Sequence, residues 1–167
     1  RGENTRQILD DLGESAVLHV IDPVPAFDPA ELEREHEGRY VFHRALSVDV
    51  LGGLPPMDAA LIDGDHNWYT VVNELRLLRD VSRKARRPLP LLVLHDVCWP
   101  YGRRDLYYAP ETIPAEQRQP MERAGLRPGQ KRVVAEGGMS STHWHAVEEG
   151  GPRNGVMTAL DDFLAEH

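Results

Sequence analysis

The sequence predicts an α/β protein in which a mostly parallel sheet is covered by helices on both faces. Two observations carry that expectation. The runs 16–21, 57–62 and 91–94 are short and nearly all apolar, as strands buried on both faces are. Between the last two of them, Val71, Val72, Leu75, Leu78 and Val81 recur at helical spacing over residues 68–82.

Taken in order, residues 3–13 read as a helix with Ile8, Leu9 and Leu12 on one face and Gly13 as a stop. This helix opens abruptly, preceded by Arg1-Gly2 and no strand, so we expect a fragment truncated at its N-terminal strand. The strand over 16–21 is halted by Asp22-Pro23, because proline cannot donate to a ladder. Residues 27–37 are polar and helix-compatible, and 40–43 read as a strand ahead of 47–51. The strand over 57–62 runs into Asp63-Gly64-Asp65-His66, Pro88 and Pro90 break the following helix, and the strand over 91–94 runs into His95-Asp96. From 97 to 152 the pattern fades among prolines and glycines, which predicts a substrate loop or lid. Helical order returns over 154–166, with Val156, Leu160, Phe163 and Leu164 on one side.

A chain of 167 residues with no repeat and no linker predicts a single domain. Nineteen Lys and Arg against 27 Asp and Glu give a net charge of -8, the wrong sign for a nucleic-acid partner. No apolar run is long enough for a bilayer, so no membrane partner is expected. Cys98, the single cysteine, cannot form an internal disulfide, which suits a cytoplasmic protein. A homo-oligomer stays open.

In open parallel sheets, ligands bind outside the carboxyl ends of the strands. Three expected strands end in carboxylates, Asp22, Asp63 and Asp96, so their side chains should gather on one rim. The plainer alternative is that aspartate caps and turns the loops after strands.

Gly2-Glu3-Asn4-Thr5, Val20-Ile21-Asp22-Pro23, Ala60-Leu61-Ile62-Asp63-Gly64-Asp65-His66 and Leu92-Val93-Leu94-His95-Asp96-Val97 together resemble the core of a class I S-adenosylmethionine-dependent methyltransferase. The nearest subgroup by motif is the small-molecule O-methyltransferases similar to macrocin O-methyltransferase and cephalosporin-hydroxylase-like proteins. The resemblance spans roughly residues 1–100 and implies a Rossmann-like fold that transfers a methyl group to the hydroxyl of a small molecule, a sugar or natural product. It also implies that Gly2 closes the loop around the methionine portion of S-adenosylmethionine, that Asp22 takes the ribose hydroxyls, and that Ser47 lies beside the adenine. Ser47 reads equally well as a helix N-cap.

The same resemblance places Asp63 at the cofactor and, with His95 and Asp96, at a divalent metal, Mg²⁺ or Mn²⁺, with Asp65 as base. His95 stands where those enzymes carry an acidic residue, and an imidazole suits Mn²⁺, Fe²⁺ or Zn²⁺ better than Mg²⁺. Without a metal, His66 or His95 would be the general base, since imidazole titrates near neutrality. Methyl transfer from a sulfonium also proceeds on alignment alone.

Other features point less sharply. The segment from Trp99 to Tyr108 combines aromatic faces with Arg103 and Arg104, a composition that could stack an acceptor or simply pack a loop. His143 and His145 flank Trp144 in what reads as a substrate loop or surface. Arg83 to Arg87 reads as a solvated helix end. Two other functions fit the same residues: a catalytically silent cofactor-binding module, and a metal-dependent hydrolase using Asp63, Asp65, His66, His95 and Asp96.

Overall fold

The computed structural model describes residues 3–166. Its contacts divide into two compact units, with the boundary between Leu51 and Gly52. Helices and short sheets of mixed type make it an α/β protein.

In the first unit, helix α1 (Glu3–Asp11) leads into strand β1 (Leu18–Ile21), helix α2 (Pro29–Glu35), strand β2 (Tyr40–His43) and the short helix α3 (Ser47–Val50). Arg39 closes α1 by donating to the carbonyl of Leu9 at 2.5 Å, one of the acceptors a helix end leaves open, and to that of Gly13 in the turn beyond at 2.6 Å. Asp28 caps α2 by accepting from Ala30 N at 3.0 Å, and Pro29 occupies the first turn, where its missing N–H costs nothing. Strands β1 and β2 pair in parallel, Leu18 opposite Tyr40 through Ile21 opposite His43. One face of the pair carries Leu18, Val20 and Phe42 against a core of Leu9, Leu32 and Tyr40. The alternation puts His19 and His43 on the other face, where their rings stack 16° from parallel with Nδ1 of His19 3.0 Å from Nε2 of His43. Ser47 is the first residue of α3 rather than its N-cap: Leu46 holds the cap position and offers no side-chain bond.

The second unit opens with strand β3 (Ala59–Ile62), helix α4 (Trp68–Lys84) and strand β4 (Leu91–Leu94). The two strands pair in parallel, Ala59 opposite Leu91 through Ile62 opposite Leu94. Asn67 caps α4, its Oδ1 accepting from Thr70 N at 2.8 Å. Arg83 and Lys84 close its last turn on an exposed surface, the solvated end read from the sequence. The expected burial of both sheet faces does not hold here. Leu61 is 59% exposed and Leu91 67%, so β3 and β4 alternate between a covered face and an open one. Apolar composition alone does not reveal whether a second layer exists.

The expectation of a weakly patterned loop over 97–152 is corrected. Strands β5 (Leu106–Tyr107), β6 (Met121–Arg123) and β7 (Trp144–Ala146) form an antiparallel sheet in the order β5-β7-β6. Tyr101, Leu106, Ala124, Leu126, Val133 and Val147 bury a core of their own there. Strands of two or three residues are too short to carry a readable period, and buried polar side chains supply much of the order. Arg104, 1% exposed, donates to the carbonyls of Ala146 at 2.5 Å, Val147 at 3.1 Å and Lys131 at 2.5 Å, tying the end of β7 to the loop at Lys131. Its guanidinium is therefore not offered to a ligand, and Arg103 is taken up by Asp161 at 2.7 Å and Thr158 at 3.1 Å.

Helix α5 (Val156–Ala165) closes the unit against α4. Leu75 and Leu78 of α4 and Val156, Ala159 and Phe163 of α5 are buried, and the Trp68 indole donates to Asp162 at 2.7 Å. Fully burying a leucine contributes about 1.5–3 kcal/mol, so this seam is a main source of the unit's stability. Among the described residues, no helix is long and apolar enough to cross a membrane.

Candidate functional site

The carboxyl ends of β3 and β4 bring four side chains together. One ligand atom from each of Asp63, His66, His95 and Asp96 falls within 4.8 Å of all the others. Parallel register is the reason: Ile62 lies opposite Leu94, so the residues that follow, Asp63 and His95, leave the sheet side by side. Asp96 then takes a left-handed backbone with φ 53, a conformation aspartate tolerates better than most residues.

His66 is the deepest of the four, 6% exposed, while His95 is largely open to solvent. Nε2 of His66 lies 2.7 Å from Oδ2 of Asp96 and 3.7 Å from Oδ1 of Asp63. Nδ1 of His95 lies 3.0 Å from Oδ1 of Asp63 and 3.3 Å from Oδ2 of Asp96. The His66–Asp96 approach is close but misaligned: neither ring nitrogen of His66 finds a hydrogen-bond partner among the described residues. Nε2 keeps the Asp96 carboxylate as an ion-pair contact, so the buried nitrogen left without a partner is Nδ1, at a cost of about 1–3 kcal/mol.

The His–Asp separations fit two ligands of one ion. Ligands about 2.0–2.1 Å from a metal stand about 2.9 Å apart in octahedral and about 3.3 Å apart in tetrahedral coordination. The four His–Asp contacts, 2.7 to 3.7 Å, bracket those values, and all the ligand atoms lie within 4.8 Å of one another. Two imidazoles beside two carboxylates suit Zn²⁺, Fe²⁺ or Mn²⁺ better than Mg²⁺, which prefers oxygen alone.

Aromatic rings wall the cluster. Tyr101 and Tyr108 have ring centroids 5.4 and 5.9 Å from that of His66, and Tyr108 also meets His143 edge-on at 5.7 Å. Burial, and then Tyr101 with the acidic groups Asp65, Asp96 and Asp63, pushes the Tyr108 phenol above its ordinary pKa, which keeps it protonated and able to donate. Tyr101 stacks in turn on His145. His145 is fully buried and its Nδ1 donates to Ala124 O at 2.9 Å, so the surface role read for it from the sequence is corrected. Burial holds its pKa down.

Asp65 lies in the same loop but is engaged otherwise. Its Oδ1 accepts from His66 N at 3.0 Å, and its Oδ2 from Asn67 Nδ2 at 2.6 Å and Thr70 Oγ1 at 2.9 Å. Burial raises its carboxyl pKa despite these donors. Such a carboxylate shapes the turn that carries His66.

The remaining expected site residues stand elsewhere in the chain. Gly2 lies outside the described residues. Asp22 and Ser47 belong to the first unit. Asp22 follows β1 as expected, and its Oδ1 accepts from Val24 N at 2.8 Å, the turn role that was the plainer alternative. Sequence reasoning placed His66 as a base and missed both Tyr101 and Tyr108 as its walls, because their approach depends on chain folding 35 or more residues downstream rather than on local spacing. No family model, no curated protein and no solved structure matches this chain.

Proposed function

We propose that this protein is a metal-assisted, S-adenosylmethionine-dependent O-methyltransferase of Rossmann-like architecture, acting on a small molecule with a free hydroxyl. The single observation that carries the reading is the convergence of Asp63, His66, His95 and Asp96, with His66 buried, at the carboxyl ends of a parallel strand pair. The methyl donor is inferred from the motif resemblance, with Asp22 at the end of β1 as the residue that would take the ribose hydroxyls.

In this reading His66, His95, Asp63 and Asp96 would hold a divalent transition ion. Such an ion would supply Lewis-acid chemistry, lowering the pKa of the hydroxyl to be methylated. The chain's own contribution is positional. Asp65 keeps the His66 turn in shape through its three donors. Tyr101 and Tyr108 pack their rings against the buried imidazole, and the Tyr108 hydroxyl remains protonated and able to donate. Because a sulfonium is already a good leaving group, orientation supplies much of the rate.

The test is methyl transfer from labelled S-adenosylmethionine to a panel of polyhydroxylated and phenolic acceptors with Mn²⁺ or Zn²⁺ added. Label should reach an acceptor, disappear with a chelator, and be lost in Asp22→Ala and Asp63→Ala. Absence of both cofactor binding and transfer in the wild type removes the methyltransferase reading. The donor set favours one rival, a metal-dependent hydrolase, because paired imidazoles and carboxylates also activate water. Turnover of phosphate or carboxylate esters with Mn²⁺, without any heat from S-adenosylmethionine, would select it.

A further inference from the structure

The turn that carries His66 is gripped by a dipeptide far along the chain. Leu106 N donates to His66 O at 3.1 Å. Beside it, Oδ1 of Asp105 accepts from Trp68 N at 2.7 Å and from Gly155 N at 2.6 Å, so one oxygen holds the first amide of α4 and the residue that opens α5. Oδ2 of Asp105 accepts from the Tyr107 hydroxyl at 2.7 Å, and the Asp105 amide donates to Asn154 Oδ1 at 2.7 Å. Asp105 is 1% exposed. Burying a carboxylate costs several kcal/mol unless its lone pairs are filled, and here three donors fill them.

We propose that Asp105 is a positioning residue for the metal ligand His66, fixing the backbone just after that ligand while the adjoining Leu106 amide fixes the ligand's own carbonyl. The inference rests on the metal-centre reading above. A ligating histidine is ordinarily oriented by a hydrogen bond at its second ring nitrogen. His66 has none among the described residues, so its orientation falls to the backbone on either side and to the two tyrosine rings against it. Asn67, between the gripped positions, is pinned as well, by Asp65 Oδ2 at 2.6 Å and Thr70 N at 2.8 Å. The whole turn is thereby held at one setting, which a preorganised ligand set needs.

The experiment measures Zn²⁺ affinity by competition with a chromophoric chelator, well below each variant's unfolding temperature. Asp105→Ala should weaken binding by about 10–100-fold, the usual effect of losing a group that orients a ligand. Asp105→Asn should stay within about threefold of wild type, since its Oδ1 can still accept both amides. Asp162→Ala, which removes the indole bond at the same helix seam without touching the 66–68 backbone, should lose stability and keep its affinity. If Asp105→Ala does not fold, Asp105→Ser, too short to reach both amides, replaces it with the same expectation. A folded Asp105→Ala or Asp105→Ser that binds Zn²⁺ like wild type overturns the proposal. If the wild type binds no metal, the metal-centre reading falls instead. The positioning role is then read from the nuclear Overhauser contact between the His66 and Tyr101 rings in the metal-free protein, which Asp105→Ala should lose and Asp162→Ala keep. Its survival in Asp105→Ala overturns the proposal on that ground too.

Discussion

Nε2 of His66 stands 2.7 Å from Oδ2 of Asp96, yet no hydrogen bond joins them. Asp96 reaches this place from a left-handed backbone, φ 53, immediately after β4. That conformation costs about 1–2 kcal/mol for an ordinary residue and less for Asp or Asn. A left-handed aspartate set against a buried imidazole is a pattern expected where binding, rather than folding, sets the geometry.

Asp96→Asn separates the two contributions. Asparagine tolerates the same backbone and nearly the same volume, so the unfolding midpoint should stay near that of wild type. Its amide is a weaker ligand, so Zn²⁺ affinity should fall about tenfold or more. Asp96→Ala should lose affinity equally and cost about 1 kcal/mol in addition, from the backbone. Thermal melts and chelator competition on both variants check this, and wild-type affinity in Asp96→Asn would remove Asp96 from the ligand set.

How much of this was legible in the sequence depends on how local each cause is. Strands β2 and β4 occupy 40–43 and 91–94 as expected, and α4 runs two residues beyond the expected 82, because apolar spacing and flanking prolines are local signals. Asp63, His95 and Asp96 were readable as strand-end residues for the same reason. The three short strands after residue 100 were not, since the order there comes from Arg104, Asp105 and Asn154, charged and polar residues whose burial defies their ordinary preference. The burial of His66 was equally hidden, being made by Tyr101 and Tyr108 from a distant segment.

Asp105 should leave a mark on the pH dependence of stability. Burial pushes its carboxyl up to about 6, against the pull of its Tyr107, Gly155 and Trp68 donors. The unfolded chain, titrating near 3.8, gives up this proton before the folded protein does. Stability therefore falls as pH rises from about 4 to about 6 and levels off above that, by roughly 2–3 kcal/mol for this group. Urea unfolding of wild type and Asp105→Asn at pH 4, 5, 6 and 7 isolates the difference. A parallel pair of curves would show that Asp105 does not titrate in this window.

His19, stacked on His43, responds in the opposite direction. Burial, and secondly the neighbouring His43, lowers the His19 pKa below 6.5. As pH falls through 6.5 the unfolded chain takes up the proton more readily, so the contribution present above 6.5 is lost below it. Proton NMR titration should place His19 below 6.5 in wild type. In His43→Phe, which keeps a stacked ring and removes the charge, the value should rise but remain below 6.5, because burial is the larger cause. A full return to 6.5 would reverse that ranking.

Gly155 supplies the sharpest steric prediction. Its backbone, φ 92 and ψ 162, is one that essentially only glycine adopts. An added Cβ would stand 2.6 Å from Tyr101 O and 2.7 Å from Arg103 C, and it would also overlap Arg104 N, all backbone atoms that cannot swing aside. Strain and overpacking together should make Gly155→Ala cost roughly 2–5 kcal/mol. Gly151 is the control: its φ of 83 is equally unfavourable for alanine, but nothing lies within 4 Å of its Cβ position, so Gly151→Ala should cost only about 1–2 kcal/mol. Since Gly155 N is also a donor to Asp105, the displaced backbone should weaken Zn²⁺ binding in folded Gly155→Ala while Gly151→Ala binds normally. Equal stability of the two variants in urea would show that the crowding around Gly155 relaxes freely.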